Sequence, residues 1–160
     1  EVGVVLDDCF FHDSLRLRDI SAILSHVFPS WDNGLFRDYL DKFQLPWKKT
    51  VKELSRGMRM KLSLSAALAH RPRLLILDEA TANVDPENED RLQKAIEALT
   101  RDKTIILIAH RLKTVKNADQ ILVVDRGRIV QQGKHEQLMK QPGLYAEFVG
   151  GRRQAEGWKL

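Results

Sequence analysis

The stretch Arg73-Leu-Leu-Ile-Leu-Asp-Glu79 restricts the fold more than any other. Four consecutive aliphatic side chains leave no polar face, so a strand here belongs in a parallel sheet covered on both sides. Residues 2–6, 104–109 and 120–125 have the same β-branched or aliphatic character. Residues 128–132 follow Arg126-Gly127, a dipeptide that predicts a hairpin turn. Asp85 as cap and Pro86 in the first turn predict a helix running to about Thr100. Its Leu92, Ala95, Ile96 and Leu99 fall on one helical face. Strands alternating with helices predict an α/β fold.

Residues 15–70 break this alternation. They carry no strand signal and three helical ones, at about 17–28, 31–43 and 56–69, separated by Pro29 and Pro46. An all-helical insertion is therefore expected between the first two strands, with Trp31, Phe36, Leu40 and Phe43 largely buried. Residues 150–160 show no clear pattern and are expected to form a loose tail.

Composition removes several classes of function. The longest apolar runs fall far short of the ~18–20 residues that span a bilayer, and no signal peptide is visible. A soluble, cytosolic chain is expected. Cys9 is the only cysteine, so neither an internal disulfide nor a cysteine-based zinc cluster can form. His12, His26, His70 and His135 show no metal-ligand spacing. The net charge of +4 is not spread as a nucleic-acid face would require. Residues 51–75 hold six basic side chains against one acid, and residues 76–100 hold seven acids against two basic ones. A basic block beside an acidic one suits a site where phosphates and a divalent cation meet.

Three local features carry candidate chemistry. Asp78 and Glu79 end a buried strand at the edge where open α/β sheets bind ligands. In a nucleotide hydrolase the first acid holds Mg²⁺, directly or through water, and the second orients or deprotonates the attacking water. Leu54-Ser-Arg-Gly-Met58 precedes a helix, placing Ser55 and Gly57 where free N–H groups favour an anion, with Arg56 adding positive charge. Taken alone, a Ser-x-Gly is an ordinary helix cap. His110 ends the strand at 104–109, where an imidazole can hydrogen-bond a γ-phosphate.

In order and spacing these features resemble the nucleotide-binding domain of ATP-binding-cassette (ABC) transporters, over nearly the whole chain. Leu54–Met58 resembles the signature loop, residues 74–79 the Walker B strand, Ala82-Asn-Val-Asp85 the D-loop and His110 the switch histidine. Val2-Gly-Val-Val-Leu-Asp7 resembles the strand into the Q-loop. Three positions depart from the family pattern. Asp7 stands where the family has Gln, and Arg56 and Met58 replace Gly and Gln of the signature. A carboxylate at position 7 can still meet the cation or its water shell. The phosphate-binding Walker A loop, G-x-x-x-x-G-K-[ST], does not occur in these residues; in the family it lies upstream of the Q-loop strand. Gly127-Arg-Ile-Val-Gln-Gln-Gly-Lys-His135 imitates it with the wrong spacing, in a hairpin strand, and is rejected.

The resemblance implies a partial P-loop NTPase core with a mainly parallel sheet and an inserted α-helical subdomain. It implies residues 1–14 as Q-loop strand and loop, 15–70 as the helical signature subdomain, 71–150 as the Walker B to C-terminal core, and 151–160 as tail. It implies ATP and Mg²⁺ as cofactors, Glu79 and His110 as catalytic, and Ser55, Arg56, Gly57, Met58, Asp7 and Asp85 as nucleotide-facing. Asp78 would hold Mg²⁺, with Asp7 as a further metal candidate. The implied partners are a second ATPase domain, head to tail, and transmembrane transporter domains that hold the chain at the inner face of the plasma membrane. Nucleic acid is not expected. Residues before about Arg73 resemble stand-alone ATPase subunits, and those from Ala80 onward resemble exporters with a fused membrane part, so a mosaic stays open. Two other readings also stay open: a catalytically silent module lending only its signature face, and a soluble ABC protein outside transport.

Overall fold

In a computed structural model the described residues are 2–6, 9–78, 96, 99, 102–109 and 115–156, side chains being described as far as residue 151. They divide into two units, Glu1–Ile108 and Ala109–Leu160, each considered by itself.

In the first unit the chain enters as β1 (Val2–Val5) and then turns helical: α1 (Leu17–Val27), α2 (Asn33–Lys42), a 3-10 turn (Val51–Glu53) and α3 (Arg56–Ala69). It returns to extended structure as β2 (Leu74–Asp78) and β3 (Thr104–Ile108). The three strands are parallel in the order β1-β2-β3, with Val4 opposite Ile76 and Ile76 opposite Ile106. The helical insertion lies where the sequence predicts it, between the first two strands.

Local chemistry sets the helix bounds. Asp32 accepts a hydrogen bond from the Leu35 amide at 2.9 Å, so α2 starts at Asn33 and not at Trp31. Phe36, Tyr39 and Leu40 form its buried stripe, and Phe43 is buried just beyond. Trp31 is only half-buried, its ring 5.1 Å from that of Phe36. Together with Leu17, Ile20, Val51, Leu62, Leu64 and Leu68 these residues build one apolar core. Helix α3 packs on both α2 and β1. A Cβ on Gly3 would stand 2.9 Å from the Ala67 carbonyl oxygen and 3.0 Å from Pro72, so only glycine lets β1 approach α3 this closely.

The sheet corrects one sequence expectation. Among the described residues the better covered face is the one carrying Val5, Leu75 and Leu77, all buried. On the opposite face Val2 and Val4 are each 49% exposed, as are Ile106 and Ile108 on β3. Helix α3 meets the sheet at β1, and among the described residues β3 has a ladder partner only in β2.

The second unit is built on an antiparallel hairpin of β4 (Ile121–Asp125) and β5 (Arg128–Gly133), followed by α4 (His135–Met139) and α5 (Leu144–Glu156). Arg126 and Gly127 both have positive φ, 46° and 75°, the backbone a primed hairpin turn requires. Ile121, Leu138, Tyr145 and Val149 form its core. The expected tail from residue 150 is instead helical through Glu156. Tyr145 and Val149 anchor one face of α5, and that packing outweighs the poor helix propensity of Gly150 and Gly151.

Candidate functional site

The segment 54–58 is shaped by its two neighbours. Leu54 is buried and closes the 3-10 turn, its amide donating to the Val51 carbonyl at 3.1 Å. Met60, Leu62 and Leu64, on different sides of α3, are all buried and fix the helix in the core. Between these anchors Ser55 and Arg56 are exposed and Gly57 and Met58 half-buried, so the loop is presented at the surface on a rigid base. Ser55 is the N-cap of α3, with φ −65° and ψ 162°, and its Oγ accepts from the Met58 amide at 3.3 Å. The hydroxyl proton remains able to donate to an incoming acceptor. First-turn amides and the positive end of the helix dipole face the same way, an arrangement that favours a phosphate oxygen.

Asp78 sits at the C-terminal end of β2, opposite Ile108, and is half-buried beside the fully buried pair Leu75 and Leu77. A carboxylate oxygen at that edge has the hardness Mg²⁺ prefers. No cluster of three or more His, Cys, Asp or Glu capable of holding a metal occurs among the described residues. Asp7, Glu79, Asp85 and His110 lie outside the described residues. The structure therefore gathers Ser55, Arg56, Gly57 and Met58 at one helix start and sets Asp78 apart at a strand end.

Two structural ties that the sequence did not reveal hold α3 at either end. At its C-terminal end Arg71 reaches Asp32 at 2.8 Å, and Asp32 donates its own amide to the Ala69 carbonyl at 3.0 Å. The Leu35 amide first, then Arg71, holds the Asp32 carboxyl below the usual carboxylate range. At the N-terminal end Arg59 meets Asp13 at 3.1 Å and the Leu54 carbonyl at 3.4 Å. Beside it, Glu53 accepts from the Thr50 amide and hydroxyl at 2.7 and 2.8 Å, which lowers its pKa in turn. No spacing rule brings Asp13 to Arg59, because the contact depends on how two distant segments pair.

Comparison with known proteins now decides the family. Residues 1–82, half of the chain, match the model of the ABC transporter family. The chain belongs to the ABC transporter family, in its ATP-binding part. Relatives in the family include the toxin RTX-III translocation ATP-binding protein of Actinobacillus pleuropneumoniae, 37% identical over 91% of this chain and 22% of that protein. The ABC transporter ATP-binding protein YknV of Bacillus subtilis is 45% identical over 93% of this chain and 26% of its own length. A solved bacterial Atm1-family ABC exporter with ATP bound superposes with a TM-score of 0.74 at 28% identity, covering 94% of this chain and 28% of that one. The chain thus spans about a quarter of the length of the relatives it matches. The α/β fold with its parallel sheet and helical insertion agrees with that neighbour. No helix among the described residues is long and apolar enough to cross a membrane.

Proposed function

We propose that these residues supply the signature face and the Walker B carboxylates of an ATP-hydrolysing transporter domain. The observation that carries this reading is Ser55: it caps an exposed helix start, its Oγ accepting from the Met58 amide and its proton given to no acceptor among the described residues, beside Arg56 and Gly57. Ser55 donates to a phosphate oxygen, Gly57 lets the backbone approach, and Arg56 adds charge to that contact. Met58 anchors the cap through its amide. Asp78 would hold Mg²⁺, with Asp7 as a further carboxylate candidate for it. Glu79 orients and deprotonates the attacking water, His110 hydrogen-bonds the γ-phosphate, and Asp85 lines the nucleotide from the D-loop. Bound Mg²⁺ would neutralise charge on the transferred phosphoryl group.

The phosphates themselves need a backbone cradle and a Lys, and the 160 residues contain no G-x-x-x-x-G-K-[ST]. The signature face is read as acting on ATP held by a second ATPase domain in head-to-tail array, as the family resemblance implies, with transmembrane domains as the coupled machinery and the inner face of the membrane as the location. Positioning and charge stabilisation supply most of the acceleration in phosphoryl transfer. The purified 160-residue chain is accordingly expected neither to bind ATP–Mg²⁺ tightly nor to release phosphate above background. Calorimetric titration with a phosphate-release assay checks this. Micromolar binding with turnover that Glu79→Gln abolishes would overturn it.

A further inference from the structure

The segment that follows Asp7 and the segment that leads into Ser55 run side by side. Leu17 donates its amide to the Lys49 carbonyl at 3.2 Å, Val51 to Leu15 at 2.9 Å and Lys52 to Asp13 at 3.0 Å, around an antiparallel bridge between Arg16 and Thr50. Backbone bonds thus hold residues 13–17 against residues 49–52. They stop short of the loop itself. Beyond Leu54 a side chain from the first turn of α3, that of Arg59, spans both segments. Its Nη1 pairs with Asp13 Oδ1 at 3.1 Å, and its Nε donates to the Leu54 carbonyl, one residue before the Ser55 cap.

We infer that Arg59 is a positioning residue, latching the Ser55–Met58 loop to the segment that follows Asp7 through Asp13. The guanidinium is suited to this because its fixed fork can engage a carbonyl and a carboxylate at once, which an ammonium on a flexible stem does less well. The pair is 31% and 55% exposed, so it adds little to global stability. Its consequence is geometric: it fixes where the carbonyl before Ser55 points, and with it the Ser55 hydroxyl. The inference rests on the signature reading proposed above.

The test has two arms. In the first, hydrogen exchange is followed on the 160-residue chain with Arg59→Gln, Arg59→Lys, Asp13→Asn and the swap of Arg59→Asp with Asp13→Arg. Arg59→Gln and Asp13→Asn are expected to speed exchange about tenfold at residues 54–58 and 13–15, with Tm moved by under about 2 °C. Arg59→Lys should fall between, and the swap should recover part of the protection. Unchanged exchange, or acceleration spread over all three helices with a large Tm loss, overturns the latch. In the second arm the same variants are assayed in the assembled ATPase. KM for ATP is expected to rise about fivefold with kcat within about twofold, the mark of lost ground-state positioning. Unchanged KM beside accelerated exchange overturns the role in ATP contact alone. Absence of ATP turnover in the assembled wild-type protein overturns the signature reading and this inference together, while leaving the exchange result standing as structure.

Discussion

The helical insertion and strand β3 follow opposite rules of burial. In residues 15–70 all three helices place side chains in one core: Leu17 and Ile20 of α1, Phe36 and Leu40 of α2, and Leu62 and Leu64 of α3 are fully buried, in a cluster that also takes in Val5, Leu75 and Leu77 of the sheet. Strand β3 is as apolar as any of them, yet Ile105 is 39% exposed and Ile106 and Ile108 are each 49% exposed. The hairpin of the second unit repeats the pattern, with Leu122, Val124 and Ile129 all more than half exposed. An apolar helix stripe is satisfied by its neighbours in sequence. An all-apolar strand needs cover on two faces, and such cover comes from elements distant in the chain. The insertion thus draws most of its cover from its own helices, with β1 and β2 adding to it, whereas β3 depends on what packs against it.

Truncating one apolar side chain in each region tests the comparison most sharply. Phe36→Ala should cost about 3–5 kcal/mol, because a ring removed from a closed core leaves a cavity. Ile106→Ala should cost no more than about 1 kcal/mol, since half its surface already meets water. Urea denaturation of both variants measures the two costs, and similar losses would erase the distinction.

Acid provides the next test. Asp32 and Glu53 both titrate below the ordinary carboxylate range, each held ionised by hydrogen bonds that the unfolded chain lacks. The stability they contribute is complete above the unfolded pKa of about 4 and is lost as the pH falls through the lower folded values. Thermal melts followed by helical circular dichroism should therefore hold steady near neutrality and drop below about pH 4. Asp32→Asn should flatten that drop.

Ile106→Lys probes the bare strand from the other side. A charge in the helical core would unfold it, but on β3, whose outer edge has no ladder partner among the described residues, it should leave the fold intact and reduce self-association through that strand. Sedimentation at rising concentration would show this as a smaller concentration dependence than in the wild type. The smallest effect is expected at Arg37, whose guanidinium lies 4.4 Å from the Trp47 ring centroid. Arg37→Ala should cost roughly 0.5–1 kcal/mol in the same urea experiment.

How much was legible in the sequence follows the same division. The bounds of α1, α2 and α3 are local matters of caps, prolines and spacing, and they could be read within a few residues. The position of Ser55 at a helix start was legible for the same reason. Coverage of the strands was misjudged, because periodicity reports what a strand would bury and not what is there to bury it. The run of α5 through Gly150 and Gly151 was missed, since glycine signals an end only when packing does not override it. Arg59, Asp13, Arg71 and Asp32 were invisible as pairs, being joined by tertiary pairing alone.

The central claim is that Ser55 completes an ATP site together with a second domain. The most direct test mixes the chain with a partner ATPase domain carrying an intact Walker A loop and measures phosphate release. The account predicts turnover in the mixture above that of either component, lost on Ser55→Arg while the circular dichroism melt is retained. Equal turnover with Ser55→Arg and wild type, in a mixture shown to be associated, would contradict it.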